Sequence, residues 1–182
     1  MSEPLTDPGP STPDDADWTW VLTRPCPDCG FDAATMEPAD VPAILRDAGQ
    51  RYAAALGRDG VRTRPAEGVW SPLEYACHVR DVCDVMRGRL EQILAGGGEV
   101  VRFANWDQDE TAVERQYWRS DPDVVAREVT AAFEDAATAY ALPSGPQWEW
   151  PALRSNGSEF TARTLSLYFV HDIHHHLWDV TA

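Results

Sequence analysis

No lysine occurs in the 182 residues of this chain; all 15 basic side chains are arginine. Beside abundant alanine, aspartate, valine and proline, that absence points to GC-rich codon usage and hints at source rather than function. Positive charge is scarce altogether. Thirty acidic residues against 15 basic ones give a formal net charge of −15, a field that repels phosphate backbones and anionic membrane surfaces. Neither nucleic acid nor a membrane is an expected partner. No apolar run approaches the ~18 residues that a membrane span needs. The first seventeen residues have no basic start and no apolar stretch, so no secretory signal is read and a cytoplasmic location is expected. Because no secretory signal is read, the four cysteines, Cys26, Cys29, Cys77 and Cys83, read as thiols or ligands rather than a disulfide framework. Internal repeats and alternating strand patterns of useful length are missing as well.

What is present suits one globular domain, with 43% hydrophobic and 25% charged residues. Residues 1–17, acidic and proline-rich, predict a disordered tail. Residues 18–182 predict a single all-α domain, a four-helix bundle whose N-terminal irregular arm, WTWVLTRPCPDCGFD, carries the CxxC pair. Apolar residues at helical spacing predict a first helix over about 41–56. Ser71-Pro72-Leu73-Glu74 reads as a capping box that starts a second, and Gly96-Gly97-Gly98 stops it after Ala95. A short helix is expected across 109–118. Asp121-Pro122 opens a third long helix through about Leu142. The last, about 161–180, carries the core stripe Leu165, Phe169, Ile173, Leu177 and Val180.

That last helix contains HDIHHH, which sets His171 and His175 four residues apart on one face, where both imidazoles can reach one ion. His78, in the middle of the capped second helix, is the natural third ligand. Three imidazoles suit zinc, nickel or iron and leave coordination positions open, which favours catalysis over a purely structural role. His174 is a possible substitute ligand or proton carrier, whereas His176 turns about 100° from His175. Asp81 and Asp172 are candidates to orient the ligands. Cys26-Pro27-Asp28-Cys29-Gly30 has the form of half a zinc knuckle; a structural turn or incidental disulfide is the expectation, since Cys77 and Cys83 are poorly placed to complete it. Trp70, Trp106 and Trp150 are candidates for the walls of a substrate site.

Trp70-Ser71-Pro72-Leu73-Glu74 with His78, followed by His171, Asp172, His174 and His175, resembles the DinB-like superfamily over residues 40–182. The resemblance implies a four-helix bundle, often dimeric, holding a divalent metal through His78, His171 and His175. Some relatives have a carboxylate where this chain has His171, and the all-histidine set places it with the three-histidine branch. Members of known activity include transferases and isomerases that use a low-molecular-weight thiol. The resemblance therefore implies a metal-dependent S-transferase joining a thiol such as mycothiol to a small electrophile. The alternative is a non-catalytic, stress-related module that binds metal and ligand. Metal-assisted hydrolysis ranks third, because no HExxH-type glutamate is present to act as base.

Overall fold

Helix α1 spans Val41–Leu56, with Pro42 in its first turn. Helix α2, Pro72–Ala95, begins on the predicted capping box: Ser71 Oγ accepts from the Glu74 N–H at 3.3 Å and Glu74 Oε2 from the Ser71 N–H at 2.9 Å. Such a cap stabilises the helix start by about 1 kcal/mol, because it satisfies N–H groups that have no partner inside the helix. Strand β1, Val101–Phe103, precedes helix α3, Gln108–Glu114. Helix α4, Pro122–Tyr140, is capped by Asp121, whose Oδ1 accepts from the N–H groups of Asp123 and Val124 at 3.0 and 3.1 Å. Strands β2, Pro151–Arg154, and β3, Glu159–Thr161, lead directly into helix α5, Ala162–Thr181. This computed structural model describes residues 5–14 and 16–181.

Two expectations need correction. A small sheet exists, with β1 parallel to β2 and β2 antiparallel to β3, in register Val101↔Ala152 and Ala152↔Phe160. Strands of three or four residues are too short to display an alternating pattern, so the sequence does not announce them. The helix expected over 109–118 is broken into α3 and one 3-10 turn at Tyr117–Arg119. The break falls at Gln116, which has left-handed backbone (φ 48°).

The bundle consists of α1, α2, α4 and α5. Helix α1 packs on α4 and α5, and so does α2, so the order around the bundle is α1, α4, α2, α5. Consecutive helices α1 and α2 thus lie diagonally. At the α1–α4 seam a Cβ on Gly49 would fall 2.8 Å from Phe133 Cβ, which explains glycine in mid-helix. Tyr52 stacks on Phe133 and donates its hydroxyl hydrogen to the Ile173 carbonyl at 2.9 Å, tying α1 to α5. On α5, Leu165, Phe169, Ile173 and Leu177 are buried as the stripe predicts, and Val180 packs against them half-buried.

The arm does not stand apart. Its 3-10 turn, Trp18–Leu22, packs on α5, and Cys26 and Phe31 join the core. Part of the expected tail also makes defined contacts: the Thr12 N–H donates to Gly68 O at 2.8 Å and Ser11 Oγ to Asp109 at 3.1 Å. The rest of that expectation, at residues 1–4 and 15, lies outside the described residues. Among the described residues no helix is long and apolar enough to cross a membrane.

Candidate metal centre

Two pairs at helical i, i+4 spacing overlap in the HDIHHH stretch of α5: Asp172 with His176, and His171 with His175. They point about 100° apart. Measured from the centre of the core stripe at ~100° per residue, His176 and Asp172 lie about 40° and 80° away, and His175 and His171 about 140° and 180°. The first pair therefore flanks the core beside α2; the second faces the opposite way, where the arm covers it.

His78 of α2 meets the first pair. Its Nε2 is 3.5 Å from Asp172 Oδ1, and His176 Nε2 is 3.9 Å from the same oxygen. At those separations neither contact is a good hydrogen bond. Both ring nitrogens of His78 and Oδ1 of Asp172 are buried without a partner, a costly arrangement that a bound cation would relieve. His176 Nδ1 is 2.9 Å from Asp179 Oδ2. With the proton on Nδ1 donated to that carboxylate, Nε2 keeps its lone pair free for a metal, the usual arrangement around histidine ligands. His78 is fully buried, stacked on Trp106 (centroids 5.6 Å, 12°) and tilted against Trp70. Burial pushes its pKa down. Burial opposes the charge on Asp172, but His78 and the neighbouring imidazoles hold its carboxyl below the usual range. Neutral imidazole and ionised carboxylate are the forms that bind metal; at His176 burial also opposes the charge, but Asp179 and Asp172 outweigh it and raise the pKa, so a metal would have to displace its proton.

The second pair meets the arm. Cys26 and Cys29 join His171 and His175 in a group whose ligand atoms all lie within 4.8 Å of one another, as do those of His78, Asp172 and His176. Cys26 Sγ is 3.6 Å from His175 Nδ1. Trp18 packs on both imidazoles, and Phe31 meets His171 edge-on. That cover explains why His171 is only 3% exposed although it points away from the core. Burial, then the neighbouring His175, pushes its pKa down to about 4.

A cavity of about 510 Å³ opens beside both groups, with Asp172, His176, Trp70 and Trp106 in its wall and Arg154 as the one arginine among its described lining residues. The sequence model of the DinB superfamily matches residues 43–179. The chain belongs to the DinB superfamily. Its fold is similar to that of YfiT from Bacillus subtilis, described as a probable metal-dependent hydrolase with an unusual four-helix bundle topology; the two are 16% identical, with a TM-score of 0.68 over 79% of this chain and 83% of that one. No curated protein matches the chain.

Within this DinB-type bundle the three histidines expected to share an ion are divided. His78 stands with Asp172 and His176, and His171 and His175 stand with the cysteines. The angle of His176 from His175 turns it away from that pair; its angle from the core stripe is the sequence signal that sets it beside His78. The exposed His174 has its Nε2 3.1 Å from Cys29 O. Asp81 is engaged elsewhere, by Arg80, Arg115 and the Tyr117 hydroxyl; the carboxylate beside His176 is that of Asp179. Trp150 is not among the cavity residues. All four cysteines are free thiols, and burial pushes Cys77 up to about 11, which suits a core residue and not a nucleophile.

Proposed function

We propose that this DinB-superfamily chain is a metal-dependent S-transferase, with a divalent ion held by His78, Asp172 and His176. The observation that carries the reading is the convergence of three unpaired or freely directed ligand atoms, two of them on residues in the wall of a polar cavity and the third on the fully buried His78. Two nitrogens and one carboxylate oxygen form a set compatible with zinc, nickel or iron, and three protein ligands leave room for a reacting molecule. When bound, the ion supplies the charge that keeps a low-molecular-weight thiol ionised near neutral pH.

The cavity's own residues favour a thiol over water. Metal-assisted hydrolysis needs a carboxylate or imidazole free to take the proton of water. Yet Asp14 accepts from the Trp18 indole and the Ala16 N–H, Asp107 caps α3, Asp109 holds Ser11 and the Asp14 N–H, and Asp179 holds His176. Asp172 is a ligand, the other lining aspartates each have a structural task, and the lining imidazoles of His171 and His175 meet the cysteines of the arm. A thiol, already far more acidic than water, can release its proton to solvent. Trp70 and Trp106 shield the ligands from bulk water, and Arg154, fixed by Asn156 and Ser158 at 2.9 and 3.0 Å, offers a cationic anchor for an anionic group of the electrophile.

The test supplies an arylating electrophile to untagged protein loaded with zinc, nickel or iron, with and without mycothiol. Adduct formed only when metal and thiol are both present is the expected result. Turnover without thiol would replace transfer by hydrolysis. Saturable ligand binding with no turnover under either condition would leave the non-catalytic binding module. A dimer, if it forms, is read from the same preparation by light scattering.

A further inference from the structure

We propose that Cys26 and Cys29 of the arm, with His171 and His175 of α5, form a second metal site, a closed tetrahedral zinc site that clamps the arm to the bundle. It is separate from the three-ligand centre and shares no residue with it.

The spacing is that of structural zinc sites: two cysteines separated by two residues and two histidines separated by three. The cysteine half has knuckle geometry. The Gly30 N–H donates to Cys26 O at 3.0 Å and the Cys26 N–H to Phe31 O at 2.8 Å, with Gly30 left-handed at φ 75°, a conformation that glycine adopts without a Cβ penalty. The missing half of the knuckle lies not on another cysteine pair but on the outer face of a helix about 140 residues later in the chain. Zinc bonds of about 2.3 Å to sulfur and 2.0–2.1 Å to nitrogen at a tetrahedral angle separate S and N by about 3.6 Å. Cys26 Sγ and His175 Nδ1 are 3.6 Å apart.

Burial argues the same way. Cys26 and His171 are 1% and 3% exposed, and His171 buries an Nε2 that nothing hydrogen-bonds. Two thiolates and two neutral imidazoles balance the charge of one zinc ion, so the filled site is neutral. Binding displaces one proton from each thiol to solvent. Four protein donors leave no position for substrate, which makes the role structural. The clamp acts on the neighbouring cavity, because Trp18 stands in its wall and Asp172 and His176 directly follow the two clamp histidines along α5.

The experiment uses the full chain, reduced and untagged. Zinc content is expected to be two equivalents, falling to one in Cys26→Ser/Cys29→Ser and to one in His78→Ala. Cobalt in place of zinc is expected to give thiolate-to-cobalt charge-transfer absorption, lost in the double cysteine variant and kept in His78→Ala. A cobalt protein without that absorption would overturn the proposal, whatever His78→Ala does. Should the cysteine variant fail to fold, alkylation of the unaltered chain decides: Cys26 and Cys29 are protected by zinc and labelled after chelation, and equal labelling under both conditions counts against the site.

Discussion

Two faces of α5 present pairs at identical spacing, yet the chain surrounds them differently. Asp172 and His176 flank the core stripe and meet one histidine from α2, with a cavity beyond. His171 and His175 face outward and meet two cysteines under Trp18 and Phe31. Both pairs line that cavity, but three donors leave a coordination position for a reacting molecule and four fill the shell. The difference teaches that a histidine pair on a helix has no chemistry of its own until the helix's rotation decides what is brought against it.

The comparison breaks most sharply if one face is emptied and the other kept. His78→Ala is expected to lower kcat/KM for thiol transfer by about 10²–10³-fold, since a metal is worth several kcal/mol of transition-state stabilisation; His171→Ala is expected to cost far less activity but to loosen the arm. Steady-state kinetics beside limited proteolysis of the arm reads both. If His171→Ala and His175→Ala, but not Asp172→Ala and His176→Ala, lose activity together with His78→Ala, the ion sits among the three histidines first expected, and the assignment of faces is reversed. Next in size is Asp179→Asn, which leaves an acceptor but removes the charge behind His176. It is expected to weaken metal affinity at the three-ligand centre by about 10–100-fold, measured by chelator competition, with the cobalt–thiolate absorption of the other face unchanged.

Much of this architecture is legible in the residues because its signals are local. Ser71, Glu74 and Asp121 announce the starts of α2 and α4 within four residues, and the stripe on α5 gives its buried face. The sheet is not legible, since residues such as Val101–Phe103 acquire strand geometry only by pairing with a segment some fifty residues away. The candidate metal centre is intermediate. His78 and the HDIHHH stretch stand out, but spacing alone fits either pair, and which pair stands beside His78 is set by α5's rotation against α2. Nothing local says that the arm returns to α5, because that docking depends on Trp18, Phe31 and Cys26 finding a face that the four-helix core leaves uncovered.

Smaller effects sharpen the contrast by moving the scaffold and not the ligands. Glu74 closes the α2 cap and pairs with Arg64, whose Nε and Nη2 meet its two oxygens. Burial raises the Glu74 pKa, but Arg64 and Ser71 outweigh it and hold the carboxyl below its usual range. A depressed folded-state pKa contributes stability above the unfolded value of ~4.3, and that contribution is lost as pH falls through the folded value. Glu74→Gln is therefore expected to destabilise the protein by about 2 kcal/mol at pH 7, with the gap to the unaltered chain narrowing below about pH 4. Urea unfolding across that range checks it; a gap that does not change with pH would mean the charge contributes nothing.

Tyr52 gives the smallest effect and the one common to both faces. Its hydroxyl reaches the carbonyl of Ile173, the residue that follows Asp172 and lies between the members of each pair. Tyr52→Phe keeps the ring stacked on Phe133 and removes only that hydrogen bond, so about 1 kcal/mol of stability and roughly 2–4 °C in Tm are expected to go. Because the lost contact sets the position of α5 as a whole, metal affinity should weaken slightly and by the same factor at both faces. A loss confined to one face would show that the two pairs are held independently, by α2 on one side and the arm on the other, and that the rotation of α5 is not their shared control.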